Sequence, residues 1–171
     1  MREFDPVGRW EASYAKLGSP YCYGNVESYR IAASLLDGLP VVEDWGCGCA
    51  YAKQFFAHSK YIGVDGSKSE WCDIVDDLET RASSPDGILM RHVLEHNNRW
   101  KEVLTNALDR AQVRLVVVFF IDFGPETKWR EDNQGIPLWQ FSALDLRKLI
   151  APRELQEIQV GTDTIWAIET R

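Results

Sequence analysis

"VVEDWGCGCAYAKQFF", residues 41–56, decides how this chain is read. An apolar pair runs into acids, Gly46 and Gly48 bracket Cys47, and an aromatic-rich stretch follows. A strand that breaks sharply into helix-type spacing is the pattern of a strand–turn–helix unit. The two glycines let the backbone bend and approach a ligand where any side chain would collide. A dinucleotide-binding turn needs a third glycine, G-x-G-x-x-G, for close helix–strand packing around a pyrophosphate. That position is Tyr51 here, and no Gly-Lys-Ser/Thr phosphate loop is present. The turn therefore suits a nucleoside without phosphates. A metal clamp is the competing reading, but structural zinc sites use C-x₂₋₄-C spacings with a second pair or histidines downstream. Cys47 and Cys49 are spaced C-x-C with no repeat, so they are read as small residues at variable places and no metal is expected.

Working outward, short apolar runs alternate with helical patterns. Asn25 caps a predicted helix whose positions Tyr29, Ala32, Ala33 and Leu36 share one face, ending at Gly38 and Pro40. Ala52, Phe55 and Phe56 begin the next helical face. "KYIGVDGS" (60–67) is a second strand, "CDIVDDLE" (72–79) holds a very short third, and "DGILMRHVLEH" (86–96) a fourth. Asn97 or Asn98 caps a helix with Trp100, Val103, Leu104, Ala107, Leu108 and Ala111 on one stripe. "RLVVVFFIDF" (114–123) is the central strand, and residues 122–141 carry no periodicity and read as a substrate-side loop. Ser142 with Asp145 forms a capping box for the next helix, and "ELQEIQV" and "TIWAIET" make a closing hairpin. The expected fold is α/β: a Rossmann-like, doubly wound, mostly parallel sheet with a C-terminal antiparallel hairpin and a short or vestigial third strand. Residues 1–171 read as a single domain, with residues 1–25 as an N-terminal lid.

The 171 residues suit one hydrophobic core, and a formal charge of −7 gives no electrostatic reason to expect a nucleic-acid partner. With no basic-then-apolar leader and no apolar run of roughly 18 residues, a cytoplasmic protein with no membrane partner is expected.

In parallel sheets ligands sit beyond the carboxyl ends of the strands. Asp65 lies there, about twenty residues past the glycine turn, where a carboxylate accepts ribose hydroxyls. Asp77 and Leu78 are placed to meet an adenine. In order, "VVEDWGCGCA", "YIGVDGS", "CDIVDDLE" and "ILMRHVLEH" resemble successive motifs of class I S-adenosylmethionine-dependent methyltransferases, most closely small-molecule-type enzymes with an HVLEH segment. The resemblance covers roughly residues 26–125. It implies S-adenosyl-L-methionine as cofactor, held at its amino-acid end by Asp44 and the Trp45, Gly46, Cys47 and Gly48 backbone. It implies Asp65, Gly66 and Ser67 at the ribose, Asp76 or Asp77 with Leu78 at the adenine, and Arg91 and His92 near the sulfonium. Where such families carry a further glycine, this chain has Ala50, and the interval from Ser67 to Asp73 is too short for a crossover helix.

Methyl transfer is an in-line displacement that needs positioning and somewhere for the acceptor's proton to go. His92 and His96 are the candidate bases, with Glu95 and Asp122 behind them. Trp10, Tyr14, Tyr21, Tyr23, Trp129 and Trp139 are candidates for an aromatic lid. The expected activity is methylation of a hydroxyl or amine on a small-molecule or sugar-like acceptor. The alternatives are a compact cofactor-binding or non-catalytic partner domain, and a nicotinamide oxidoreductase, which Tyr51 argues against.

Overall fold

The computed structural model describes residues 6–131 and 137–171. In chain order, helices α1 (Pro6–Tyr14) and α2 (Val26–Ser34) precede strands β1 (Val41–Trp45), β2 (Lys60–Asp65), β3 (Ile74–Val75) and β4 (Gly87–Arg91). Helix α3 (Trp100–Arg110) leads to β5 (Arg114–Phe119), then to a small pair, β6 (Lys128–Glu131) and β7 (Pro137–Gln140). Helix α4 (Ala143–Ile150) and strands β8 (Leu155–Val160) and β9 (Asp163–Glu169) complete the chain. The main sheet has the order β3-β2-β1-β4-β5-β9-β8. Strands β1 to β5 are parallel, and β9 runs antiparallel between β5 and β8. This is the expected α/β architecture with its closing hairpin, and the third strand is two residues long.

Alternating strand side chains build a core on each face. Met90, Leu115, Val117, Phe119 and Trp166 pack with α3 and α4 on one side. Val42, Leu89, Val116, Val118 and Ile165 pack with α2 and Ala52 on the other. Asn25 caps α2 as expected, its Oδ1 accepting the Glu27 N–H at 2.9 Å. No helix among the described residues is long and apolar enough to cross a membrane.

Three local expectations are corrected. The helix expected from Ala52 is a 3₁₀ turn, Tyr51–Phe55. Its continuation is withdrawn because Asp37 accepts both the backbone N–H and the ring Nδ1 of His58 at 2.8 Å, bending the chain toward β2. Helix α3 starts from Arg99 without a side-chain cap, since the Asn97 Oδ1 is spent on the Arg99 N–H. The Ser142–Asp145 box is relayed: the Thr127 hydroxyl accepts the Ser142 N–H at 2.9 Å and donates to Asp145 at 2.8 Å. Part of the 122–141 stretch is the β6–β7 hairpin, and residues 132–136 lie outside the described residues.

Candidate functional site

A cavity of about 1200 Å³ opens at the carboxyl edge of β1, β2 and β4. Sites for one drug-sized ligand measure roughly 300–1,000 Å³, so this one has room for two reactants. Its wall gathers Gly46–Gly48, Asp65–Ser67, Asp76–Leu78, Arg91, His92 and His96. Helix α1 contributes Val7, Trp10 and Tyr14, and the segment before α2 contributes Tyr21 and Tyr23.

The glycine turn is held by backbone and carboxylate together. Gly46 and Gly48 take φ of +77° and +55°, a region that L side chains enter at a cost of about 1–2 kcal/mol. A Cβ on Gly46 would run into Cγ2 of Val93, and one on Gly48 would lie 3.0 Å from the Tyr14 hydroxyl. The N–H groups of Gly46 and Cys47 donate to the Val64 carbonyl at 2.7 and 3.1 Å. Gly48 donates to Asp65 Oδ2 at 2.8 Å, and Ser67 N–H donates to Oδ1 at 2.7 Å. Burial pushes the Asp65 carboxyl above its ordinary range, while these N–H bonds favour its ionised form. Helix α1 closes over this corner, because Ser67 Oγ donates to the Val7 carbonyl at 3.2 Å and Lys68 N–H to Glu11 at 2.9 Å.

Two predicted cofactor contacts lie behind the wall. Asp44 is buried, accepts the Tyr61 hydroxyl at 2.6 Å, and has its carboxyl pushed up to about 7 by desolvation. The Trp45 indole is in the core and donates to Glu43 at 2.7 Å. Glu43 also receives Nε and Nη2 of Arg81 at 2.8 and 2.7 Å, and Arg81 Nη1 reaches Asp76 at 2.8 Å. Asp76 is thus committed to a buried cation. Asp77 is exposed, with Oδ1 accepting the Glu79 N–H at 2.9 Å, beside buried Leu78. The wall carries carboxylates at Asp65, Asp76, Asp77 and Glu79, which fits a ligand bearing positive charge.

The opposite wall is a buried polar cluster. Arg91 stacks on the Tyr29 ring at 3.7 Å and donates through Nη2 to Asp163 at 3.1 Å. Ser28 Oγ donates to the same Asp163 oxygen at 2.5 Å. His92 holds a φ of +57°, with Arg91 Nη1 at 3.1 Å from Nδ1 and Asp163 Oδ2 at 3.5 Å from Nε2. Since Arg91 is a donor only, Nδ1 accepts and the ring proton sits on Nε2, facing Asp163. Burial lowers the His92 pKa, so the ring is neutral with its lone pair committed. His96 stacks on Phe120 at 5.4 Å and meets Trp10 edge-on at 5.4 Å, on the cavity side.

Ser28 and Asp163 are neighbours of Arg91 and His92 that sequence reasoning missed. Their only signal is position: Asp163 closes the "GTD" turn, and that turn returns to the site edge. Glu95 is fully buried away from the cavity, its Oε1 accepting the Phe120 N–H at 2.9 Å, and desolvation pushes its carboxyl to about 7. Asp122 is exposed and also lies off the wall. Of the aromatic candidates, Trp10, Tyr14, Tyr21 and Tyr23 line the cavity, whereas Trp129 is half exposed and Trp139 packs 6.3 Å from Trp100.

No family model and no curated protein matches the chain. Solved structures share its fold. Magnesium protoporphyrin IX methyltransferase from Synechocystis PCC 6803, with bound SAM, aligns over 99% of each chain with a TM-score of 0.65 and 15% identity. The 1,6-didemethyltoxoflavin-N1-methyltransferase of Burkholderia thailandensis, with bound 1,6-didemethyltoxoflavin and S-adenosylhomocysteine, gives 0.66 over 83% of this chain and 77% of that one at 15% identity. A Rhodobacter sphaeroides structure named for Zn-dependent alcohol dehydrogenases gives 0.71 at 10% identity, covering 96% of this chain and 97% of that one. At such identities the likeness is one of fold, a Rossmann-like α/β sheet.

Proposed function

We propose that the chain is an S-adenosylmethionine-dependent methyltransferase acting on a hydroxyl or amine of a small-molecule acceptor. The observation that carries this is the joining of the glycine turn, Asp65 and the Asp77–Leu78 corner in one cavity with room left over. The same motifs that resemble class I methyltransferases, the HVLEH segment included, supply residues on both of its walls. The residues present fit the cofactor: a carboxylate-rich wall for a cationic nucleoside, and a turn without the third glycine that a pyrophosphate would use. Asp65 accepts the ribose hydroxyls, Asp77 and the Leu78 N–H read the adenine, and the Gly46–Gly48 backbone lies along the amino-acid end. Asp44 supports the turn from beneath through Tyr61 rather than touching the ligand. S-adenosylmethionine supplies an activated methyl group, and the chain's task is to aim the acceptor and take its proton. Arg91 at Nδ1 makes His92 a positioning residue, and His96, stacked on Phe120 at the cavity wall, is the candidate proton acceptor. Helix α1 and the tyrosines before α2 form a lid that excludes water.

A second reading, a non-catalytic partner domain that has kept or lost the cofactor, is favoured by the two-residue β3 and the missing crossover helix. Calorimetric titration separates the readings. Binding of S-adenosylhomocysteine, weakened at least tenfold by Asp65→Asn, supports methyl transfer. Absence of binding to it and to S-adenosylmethionine overturns the enzyme, and binding of NADH instead selects the oxidoreductase.

A further inference from the structure

The corner that carries Asp77 and Leu78 is irregular chain, running from the end of β3 at Val75 to the start of β4 at Gly87. Its shape comes from one buried cation and one amide. The Arg81 guanidinium forks onto both Glu43 oxygens in β1 through Nε and Nη2, while Nη1 reaches Asp76 just after β3. Glu43 is buried too, and its Oε2 also accepts the Trp45 indole at 2.7 Å and the Ser83 hydroxyl at 2.8 Å. The guanidinium therefore has a fixed seat in the core. From the other side, Asn106 of α3 donates through Nδ2 to the carbonyls of Leu78 and Arg81, at 2.9 and 3.1 Å. Between these anchors the chain makes a tight turn, the Asp77 carbonyl accepting the N–H groups of Thr80 and Arg81 at 3.2 and 2.9 Å. Asp77 and Leu78 line the cavity, and Arg81 and Asn106 lie behind them.

We propose that Arg81 and Asn106 are positioning residues that set selectivity for adenine, by holding the Asp77 carboxylate and the Leu78 backbone at the spacing of the base edge. The inference rests on the methyltransferase reading above. Adenine offers an exocyclic amine that donates and a neighbouring ring nitrogen that accepts. A carboxylate, which only accepts, beside a backbone N–H, which only donates, matches that pair. Hypoxanthine reverses both groups, presenting a carbonyl and a ring N–H, so it meets the same corner with two mismatches. The penalty for a mismatch depends on the corner staying rigid, because a loop free to relax lets water satisfy the unpaired groups.

The test is calorimetric titration of the full chain with S-adenosylhomocysteine and with S-inosylhomocysteine, which differ only at that base edge. The wild-type chain is expected to bind the adenosyl form about a hundredfold more tightly. Asn106→Ala keeps a strong helix former in α3, and Arg81→Lys keeps the charge without the fork. Each is expected to lower the ratio about tenfold, through weaker adenosyl binding, with inosyl binding changed less than about threefold. Asp65→Asn, at the ribose, is expected to weaken both ligands together and leave the ratio as it was. Should Arg81→Lys fail to fold, Asn106→Ala carries the test alone. A wild-type ratio near one, or an unchanged ratio in Asn106→Ala, overturns the proposal and leaves the methyltransferase reading standing. A wild-type chain that binds neither ligand overturns that reading, and the proposal with it.

Discussion

The two walls of the cavity are built by opposite means. The cofactor-side wall is local: Asp65 reaches back 17 residues to Gly48 and two forward to Ser67, using backbone N–H groups as partners. The opposite wall is assembled from distant segments, since Ser28 and Asp163 meet across 135 positions and Arg91 joins them across 72. A turn held by backbone N–H groups tolerates changes in its neighbours' side chains. A buried ion pair does not, because removing either partner strands a charge out of water.

Asp163→Ala and Ala50→Gly probe that contrast, and Glu95→Gln probes the core behind it. Asp163→Ala leaves Arg91 unpaired in the core and is expected to cost about 3–5 kcal/mol, read as a lower urea midpoint at unchanged slope. An effect near zero would show that the second wall is not held by its charges. The next concerns pH. The Glu95 carboxyl is raised to about 7 in the folded chain, so its contribution is full below the unfolded value near 4.5 and is lost as pH climbs through 7. Glu95→Gln should therefore flatten the fall in stability between pH 5 and 7.5, by an amount on the order of 3 kcal/mol, measured by urea titration at each pH. Unchanged slope in that window would mean the carboxyl stays solvated. The smallest effect lies in the local wall. Ala50 holds a left-handed φ of +51°, where glycine is at ease, and Ala50→Gly should gain about 0.5–1 kcal/mol after glycine's extra unfolded freedom is subtracted. A destabilised variant would show that the alanine methyl is packed, not strained.

The same contrast explains what the sequence made legible. Glycines, strand-ending acids and the α3 stripe are patterns over a few residues, and the structure places them where periodicity implies. Asp163 escaped because β9 is antiparallel and brings its first residue, not its last, to the edge where the parallel strands end. His92 was readable as a polar residue after β4, but not its committed lone pair, which needs Arg91 and Asp163 placed in space. The 3₁₀ turn after Ala50 was misread because the competing force, Asp37 gripping His58, comes from the end of a different helix.

The short passage from β2 to β3 has a consequence for motion. Where a packed crossover helix would unfold only with the sheet, this passage is fastened by a few discrete bonds. Ser69 ties it to Gly48 and Cys72, and Gly63 donates its N–H to Asp73 Oδ2 at 2.8 Å while accepting that residue's N–H at 2.9 Å. Such a segment can detach on its own, so the amides of Cys72 and Asp73 should exchange with deuterium through a local opening, well ahead of the β4 and β5 amides that wait for global unfolding. The passage just beyond the Asp65–Ser67 corner is therefore a hinged panel beside a rigid frame.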